Sequence, residues 1–238
     1  MKLSIIIPAY NEEKYLRGCI KSVKAAVAAG DTSAEIIVCD NNSTDSTAKI
    51  AAEEGAKVVF EPENQISLSR NAGAKAASGD WFLFVDADSI LTAETLGDMM
   101  EAAQSGRYAG GGCLVDLDYA PFHWNLLITG WNLVSRIFRL AAGSFIFCRA
   151  DAFRETGGFS DKLYAAEEIQ LSRDLKKWGK KGGLGFIILR KHPHVSSGRK
   201  ARLYAFRELA VIATGILLFP WRVLRRKSSL GHLYDGRR

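Results

Sequence analysis

The chain has 238 residues, 47% of them hydrophobic and 24% charged, with a formal net charge of +6. That length buries a substantial core without disulfides or structural metal, and the composition excludes a fibrous or disordered chain. Cys19, Cys39, Cys113 and Cys148 are widely spaced and form no Cys-x-x-Cys pair, so they read as buried free thiols rather than a disulfide framework or a zinc site.

The opening Met-Lys-Leu-Ser-Ile-Ile-Ile-Pro enters a strand at once. It leaves no room for a secretory signal, and the expected setting is cytoplasmic. Leu3–Ile7 is a continuous apolar run, as in a strand covered on both faces. Glu12–Ala29 has helical composition, Ile36–Cys39 is a second strand, and Ser43–Glu54 a helix opened by a Ser-Thr-Asp group suited to capping. Val58–Phe60 is a third strand, Ser67–Ala77 a small-residue helix and Trp81–Val85 a fourth strand. Strands alternating with helices of this length imply right-handed βαβ units and a parallel sheet, so residues 1–90 read as a Rossmann-like nucleotide-binding half.

The second half, residues 91–200, is less regular. Thr92–Gln104 reads as a helix, Gly110–Tyr119 as a strand entered through three glycines, and Phe122–Leu140 as an apolar, aromatic-rich helical stretch. Ser144–Arg149 is a strand, Gly157-Gly158-Phe159 a turn, Ala166–Gly179 a helix and Gly185–Leu189 the last strand. Residues 201–238 form a basic, apolar segment read as an amphipathic helix. Within it Leu209–Trp221 carries no charge and is flanked by arginines, a pattern suited to a membrane interface and too short to span. The Phe122–Leu140 stretch offers a second such contact or the wall of an acceptor cleft. An anionic membrane surface is therefore an expected partner, which would place the protein at the inner face of the plasma membrane. Nucleic acid is not expected, because it would not need Ile216-Leu217-Leu218-Phe219.

Chemistry concentrates at strand ends. Phe82 to Asp88 reads Phe-Leu-Phe-Val-Asp-Ala-Asp, an apolar strand ending in two carboxylates. Ligands of open α/β sheets bind at that end, and Mg²⁺ is commonly held by one or two carboxylates plus substrate phosphates. The first strand ends in Pro8-Ala9-Tyr10-Asn11-Glu12. Proline stops the ladder, Tyr10 offers a flat face to a base, and Glu12 accepts from ribose or base donors. The second strand ends in Asp40-Asn41-Asn42-Ser43-Thr44-Asp45. Asp40 is placed to accept from a base N–H, while Ser43 and Asp45 serve the following helix. Arg70, near the start of the small-residue helix, carries a forked donor suited to a diphosphate.

These segments, in this order, resemble the family 2 glycosyltransferases of the GT-A fold, from Leu3 to roughly Gly179. The first-strand loop, the Asp40–Asp45 segment (with Asn41 for the family's second acid), Arg70-Asn71-Ala72-Gly73, Asp86-Ala87-Asp88 and Gly157-Gly158-Phe159 carry the resemblance. It implies an inverting transfer from a nucleotide-diphospho-sugar of UDP or GDP type to a glycan or lipid-linked acceptor. By it, Asp40 reads the base, Asp86 lies against ribose and metal-bound phosphates, and Asp88 ligates Mn²⁺ or Mg²⁺. The base of the reaction would be the second acid of a pair opening a helix, here Glu167-Glu168 in place of Glu-Asp. Helix geometry alone puts the two glutamates on opposite shoulders of the Leu171–Leu175–Trp178 stripe and does not choose between them. The resemblance selects Glu168. Some relatives add a late histidine to the metal, which makes His194 a candidate. Read by themselves, His192 and His194 follow the last strand as a solvated pair. Other readings of the chain are a nucleotidyltransferase and a non-catalytic membrane-associated nucleotide-sugar-binding protein.

Overall fold

A computed structural model describes residues 1–199. The segment 201–238, and with it the expected amphipathic helix, lies outside the described residues.

Among the described residues seven strands form one sheet. They are β1 (Leu3–Ala9), β2 (Ala34–Asp40), β3 (Lys57–Phe60), β4 (Trp81–Val85), β5 (Tyr108–Leu117), β6 (Phe145–Arg149) and β7 (Gly185–Ser196), in the order β3-β2-β1-β4-β6-β5-β7. β1 pairs in parallel with β2 and β4, β2 with β3, and β5 with β7. β6 runs antiparallel to both β4 and β5, so the sheet is mostly parallel, as expected, with one reversed strand in its centre.

Between the strands lie α1 (Leu16–Ala29), α2 (Thr47–Glu53), α3 (Ile66–Ala76), α4 (Ala93–Gln104), α5 (Phe122–Phe138), α6 (Ala150–Thr156) and α7 (Glu167–Lys181). Alternation along each strand sends neighbouring side chains to opposite faces. Ile5, Ile7, Leu83 and Val85 join α1 and α4 in one core, while Ile6, Phe82 and Phe84 join α3, α6 and α7 in the other. α3 lies close on the sheet because Gly73 carries no side chain. A Cβ there would stand 2.5 Å from Ile6 Cγ2.

Three expectations need correction. α1 begins at Leu16 rather than Glu12, because the preceding backbone is bonded across to the β2 loop. Ser43 does not cap α2. Ser46 holds that position, and Ser43 Oγ instead accepts from Asn11 N–H at 3.0 Å. β7 continues through Ser196, so His192 and His194 lie within a strand and not after it. Pro193 is tolerated because β7 is an edge strand and its pairing with β5 shifts register between Cys113 and Val115. The four cysteines are free and buried, as expected. Among the described residues no helix is long and apolar enough to cross a membrane.

Candidate active site

β1 has β2 on one side and β4 on the other, so the chain order reverses there. The crevice beyond the carboxyl ends of these strands is where an open α/β sheet receives its ligand. The loops there are cross-tied. Asn11 sits at φ +53° and Asn42 at φ +63°, left-handed conformations that asparagine tolerates. Glu12 N–H donates to Thr47 Oγ1 at 2.8 Å, and Thr44 N–H to Asn11 Oδ1 at 2.8 Å. Burial pushes the Asp45 carboxyl up, but the bonds it accepts from the Thr47 hydroxyl, Thr47 N–H and Glu13 N–H hold it below the usual range. Asn41 donates its amide to the carbonyls of Glu61 and Glu63. A carboxylate could not donate those bonds, which accounts for asparagine at this position.

Pro8 and Ala9 are buried at the end of β1, and Tyr10 is half-buried just beyond. Asp40 is buried, with Oδ1 accepting from Ser43 N–H at 3.1 Å. Ala87 is buried between Asp86 and Asp88 at the end of β4.

Arg70 organises the centre. Its side chain is only 2% exposed. Nη1 donates to Glu167 Oε1 at 2.8 Å, and Nη2 donates to Asp86 Oδ1 at 3.1 Å and to the Gly143 carbonyl at 2.9 Å. The fork assigned from the sequence to a diphosphate is thus held by protein acceptors, and it joins the end of β4 to the start of α7. Phe159 lies under the guanidinium, 5.1 Å from ring centre to Cζ. The neighbouring Asn71 clamps the same turn twice, donating to the Phe159 carbonyl at 2.8 Å and accepting from Phe159 N–H at 3.0 Å. Gly158 at φ +73° is required here, because a Cβ would stand 2.7 Å from Asn71 Oδ1.

The two glutamates opening α7 now separate. Glu167 is buried in its pair with Arg70. The Glu168 carboxyl is pushed up from 4.5 to about 8, first by burial and then by the Glu167 charge, with Arg70 pulling the other way. A carboxyl poised near neutrality is suited to proton transfer. Ala166, just before them, sits at φ +63°, an uncommon conformation for an alanine and one that tends to occur at working sites.

A second arginine enters from beyond β7. Arg199 donates to Glu12 through Nη1 at 2.9 Å and Nη2 at 3.0 Å, and to Asp88 Oδ2 through Nη2 at 2.8 Å. Its guanidinium stacks 4.8 Å from the Tyr15 ring centre. Sequence alone singled out no role for Arg199. No local signal marked it, because its partners lie at the far end of the chain.

His194 is fully buried, 5.1 Å from Phe145 between ring centres, and neither ring nitrogen has a hydrogen-bond partner among the described residues. The expected solvated pair therefore fails for His194, while the His192 side chain stays 36% exposed. Burial lowers His194 to about 4, opposed by the charge of nearby Asp86. His192 is turned away, with Nδ1 3.1 Å from Asp98 Oδ2.

Among the described residues no three His, Cys, Asp or Glu side chains converge as a ready metal cage. The residues nevertheless fit a divalent cation. Glu12 and Asp88 already hold a positive group between them, and the orphaned His194 imidazole lies near Asp86. Carboxylate and imidazole donors suit Mn²⁺, with substrate phosphates completing the shell.

A family model described as glycosyl transferase family 2 matches residues 4–153. The uncharacterized glycosyltransferase MG060 of Mycoplasma genitalium is 26% identical over 217 residues, covering 79% of this chain and 70% of the relative. The dolichol-phosphate mannosyltransferase of Pyrococcus furiosus is 32% identical over 149 residues, covering 58% of this chain but only 41% of its own length. Among solved structures, S. aureus TarS 1–349 aligns at TM-score 0.65 and 22% identity, over 85% of this chain and 62% of that one. The glucosyl-3-phosphoglycerate synthase of Mycobacterium tuberculosis, in complex with Mn²⁺, UDP-glucose and phosphoglyceric acid, aligns at TM-score 0.63 and 18% identity, over 91% and 77%. At such identities the structural likeness establishes the shared fold.

Proposed function

Given that the chain belongs to glycosyl transferase family 2, we propose that it moves a sugar, with inversion, from a nucleotide-diphospho-sugar to an acceptor hydroxyl. The observation that carries this reading is the bridge made by Arg70, which ties Asp86 at the end of β4 to Glu167 at the start of α7, beside the Glu168 carboxyl poised near neutrality. A donor with two phosphates and an acceptor with one hydroxyl need those two centres side by side.

Asp40 accepts from a base N–H, Tyr10 covers the base, and the β1 turn at Pro8 and Ala9 shapes the loop that receives the nucleoside. Glu12 and Asp86 orient ribose and phosphate. Asp88, with Asp86 and His194 beside it, would hold Mn²⁺ or Mg²⁺, which when bound neutralises charge on the phosphates. Glu168 takes the acceptor hydroxyl's proton as that oxygen attacks the anomeric carbon. The bond from that carbon to the diphosphate breaks, and the nucleoside diphosphate leaves with the electron pair. Arg70 and Glu167 position Glu168 and Asp86. The Mn²⁺ and UDP-sugar complexes of structural neighbours support a divalent cation and a uridine donor, and a glycan or lipid-linked molecule is the proposed acceptor.

A panel of UDP- and GDP-sugars tested by thermal unfolding with Mn²⁺ checks this. At a hundredfold excess over its dissociation constant, the true donor raises the melting temperature by about 5–10 °C. Asp88→Asn should abolish the Mn²⁺-dependent part of that rise and leave the unliganded fold intact. A panel with no stabilising nucleotide sugar, or an unchanged rise in Asp88→Asn, would remove the donor site or the metal role respectively.

A further inference from the structure

Helix α5 carries apolar side chains on its outer face as well as its inner one. A helix on a globular protein normally turns its apolar stripe inward. Here the inward side carries half-buried Trp124, Ile128 and Trp131 together with polar anchors. Asn132 accepts from Val115 N–H at 3.1 Å and donates to the Val115 carbonyl at 2.9 Å, and the buried Ser135 hydroxyl donates to the Leu140 carbonyl at 2.7 Å. The outward side is apolar. Phe122 is 86% exposed, Leu126 66% and Ile137 64%, with Leu127, Leu133, Val134 and Phe138 also exposed. Phe122, Leu126, Leu133 and Ile137 fall within about 60° of one another around the helix axis. From Phe122 to Ser135 there is no Asp, Glu, Lys or Arg. Scattered exposed apolar residues are ordinary, but a continuous stripe of this kind marks an interaction surface.

The charge at one end of the stripe says what covers it. Arg136 lies in the last turn of α5 and Arg139 just past it. Lys176, from α7, donates to the Phe138 carbonyl at 2.8 Å. Its ammonium pKa is lowered by burial and then by Arg173 and Arg139, so three cations crowd together. An apolar stripe edged by basic side chains that form no salt bridge among the described residues matches a bilayer interface carrying anionic headgroups, with acyl chains meeting the stripe and headgroups the cations.

We propose that α5 docks on an anionic lipid surface and that the acceptor is presented from that surface. Presentation of the acceptor from the surface rests on the transfer function proposed above. α5 leads into Ala141–Gly143. Ala141 N–H donates to Ser172 Oγ of α7, and the Gly143 carbonyl accepts from Arg70, so the segment that follows the stripe runs back to the Arg70–Glu167 pair at the start of α7.

The test is flotation of the full chain with vesicles of phosphatidylcholine alone or mixed with phosphatidylglycerol. One variant carries Leu126→Ser, Ile137→Ser and Phe138→Ser, and a second carries Arg136→Glu and Arg173→Glu. All five positions are exposed, so the fold should survive. The wild type should float with the mixed vesicles and far less with the neutral ones. Each variant should lose at least about tenfold in partitioning, as should the wild type in high salt. Stabilisation by Mn²⁺ and the nucleotide sugar should be unchanged in both variants. The donor site is thus read separately, and failure of docking cannot be confused with failure of the transfer reading. Three results would overturn the proposal. They are absence of flotation, flotation that neither variant weakens (which would assign binding to residues beyond 199), and vesicle-free self-association of the wild type that the serine variant abolishes.

Discussion

Glu168→Gln is expected to lower kcat by about two to four orders of magnitude, the usual loss on removing a general base, with donor binding retained. Glutamine keeps the shape of the side chain and removes its capacity to take a proton. The pH dependence carries the sharper signature. Burial and the Glu167 charge hold the Glu168 carboxyl up at about 8, from an ordinary 4.5. Only its ionised form is a base, so kcat/KM should rise through a limb near that value, and the limb should vanish in Glu168→Gln. Stability should move the other way. The native state binds this proton more tightly than the unfolded chain, so the contribution is complete below about pH 4.5 and is lost as pH rises through about 8. Denaturant titrations at pH 5 and pH 9 should show Glu168→Gln losing less stability across that window than the wild type does. A limb unchanged in the variant would assign the base elsewhere.

The second large effect belongs to Arg70→Met, expected to cost about 3–5 kcal/mol of unfolding free energy, because it strands the buried partners of a charge network. Glu167 is buried and loses its cation. Asp86 and the Gly143 carbonyl lose a donor at the same time. Urea unfolding of the two proteins measures the loss. A purely structural arginine would stop there. This one also opposes the upward shift of Glu168, so in its absence that carboxyl moves higher still. The rising limb of kcat/KM in Arg70→Met should be displaced to higher pH, provided the variant is assayed where it is folded. A loss of stability with the limb in place would reduce Arg70 to a strut.

How much of this was legible in the chain follows from how local each signal was. β4 was read at its observed limits, because Trp81–Val85 is a continuous apolar run bounded by Asp80 and Asp86. The mostly parallel sheet and the gathering of Tyr10, Asp40 and Asp86 to Asp88 at strand ends followed from alternation alone. The start of α1 did not, because the backbone of Glu12 and Glu13 is spent on Thr47 and Asp45, more than thirty residues away. α6 escaped because Ala150–Thr156 is only seven residues long and lies between a strand and a glycine turn. His194 was misjudged because Pro193 argued against a strand, and only an edge position tolerates it. Arg199 could not have been found at all, since its pairing with Glu12 spans 187 residues. The choice between Glu167 and Glu168 needed the partner as well as the helix. Once Arg70 is seen to hold Glu167, the other carboxyl is left to move protons.

The most direct test follows the phosphorus of the donor. Phosphorus NMR of the wild type incubated with Mn²⁺ and the nucleotide sugar selected by thermal unfolding should show nucleoside diphosphate accumulating, as that donor is consumed by transfer or slow hydrolysis, and little or none with Glu168→Gln. Release of pyrophosphate, or equal turnover by the glutamine variant, would contradict sugar transfer driven by a base at the head of α7.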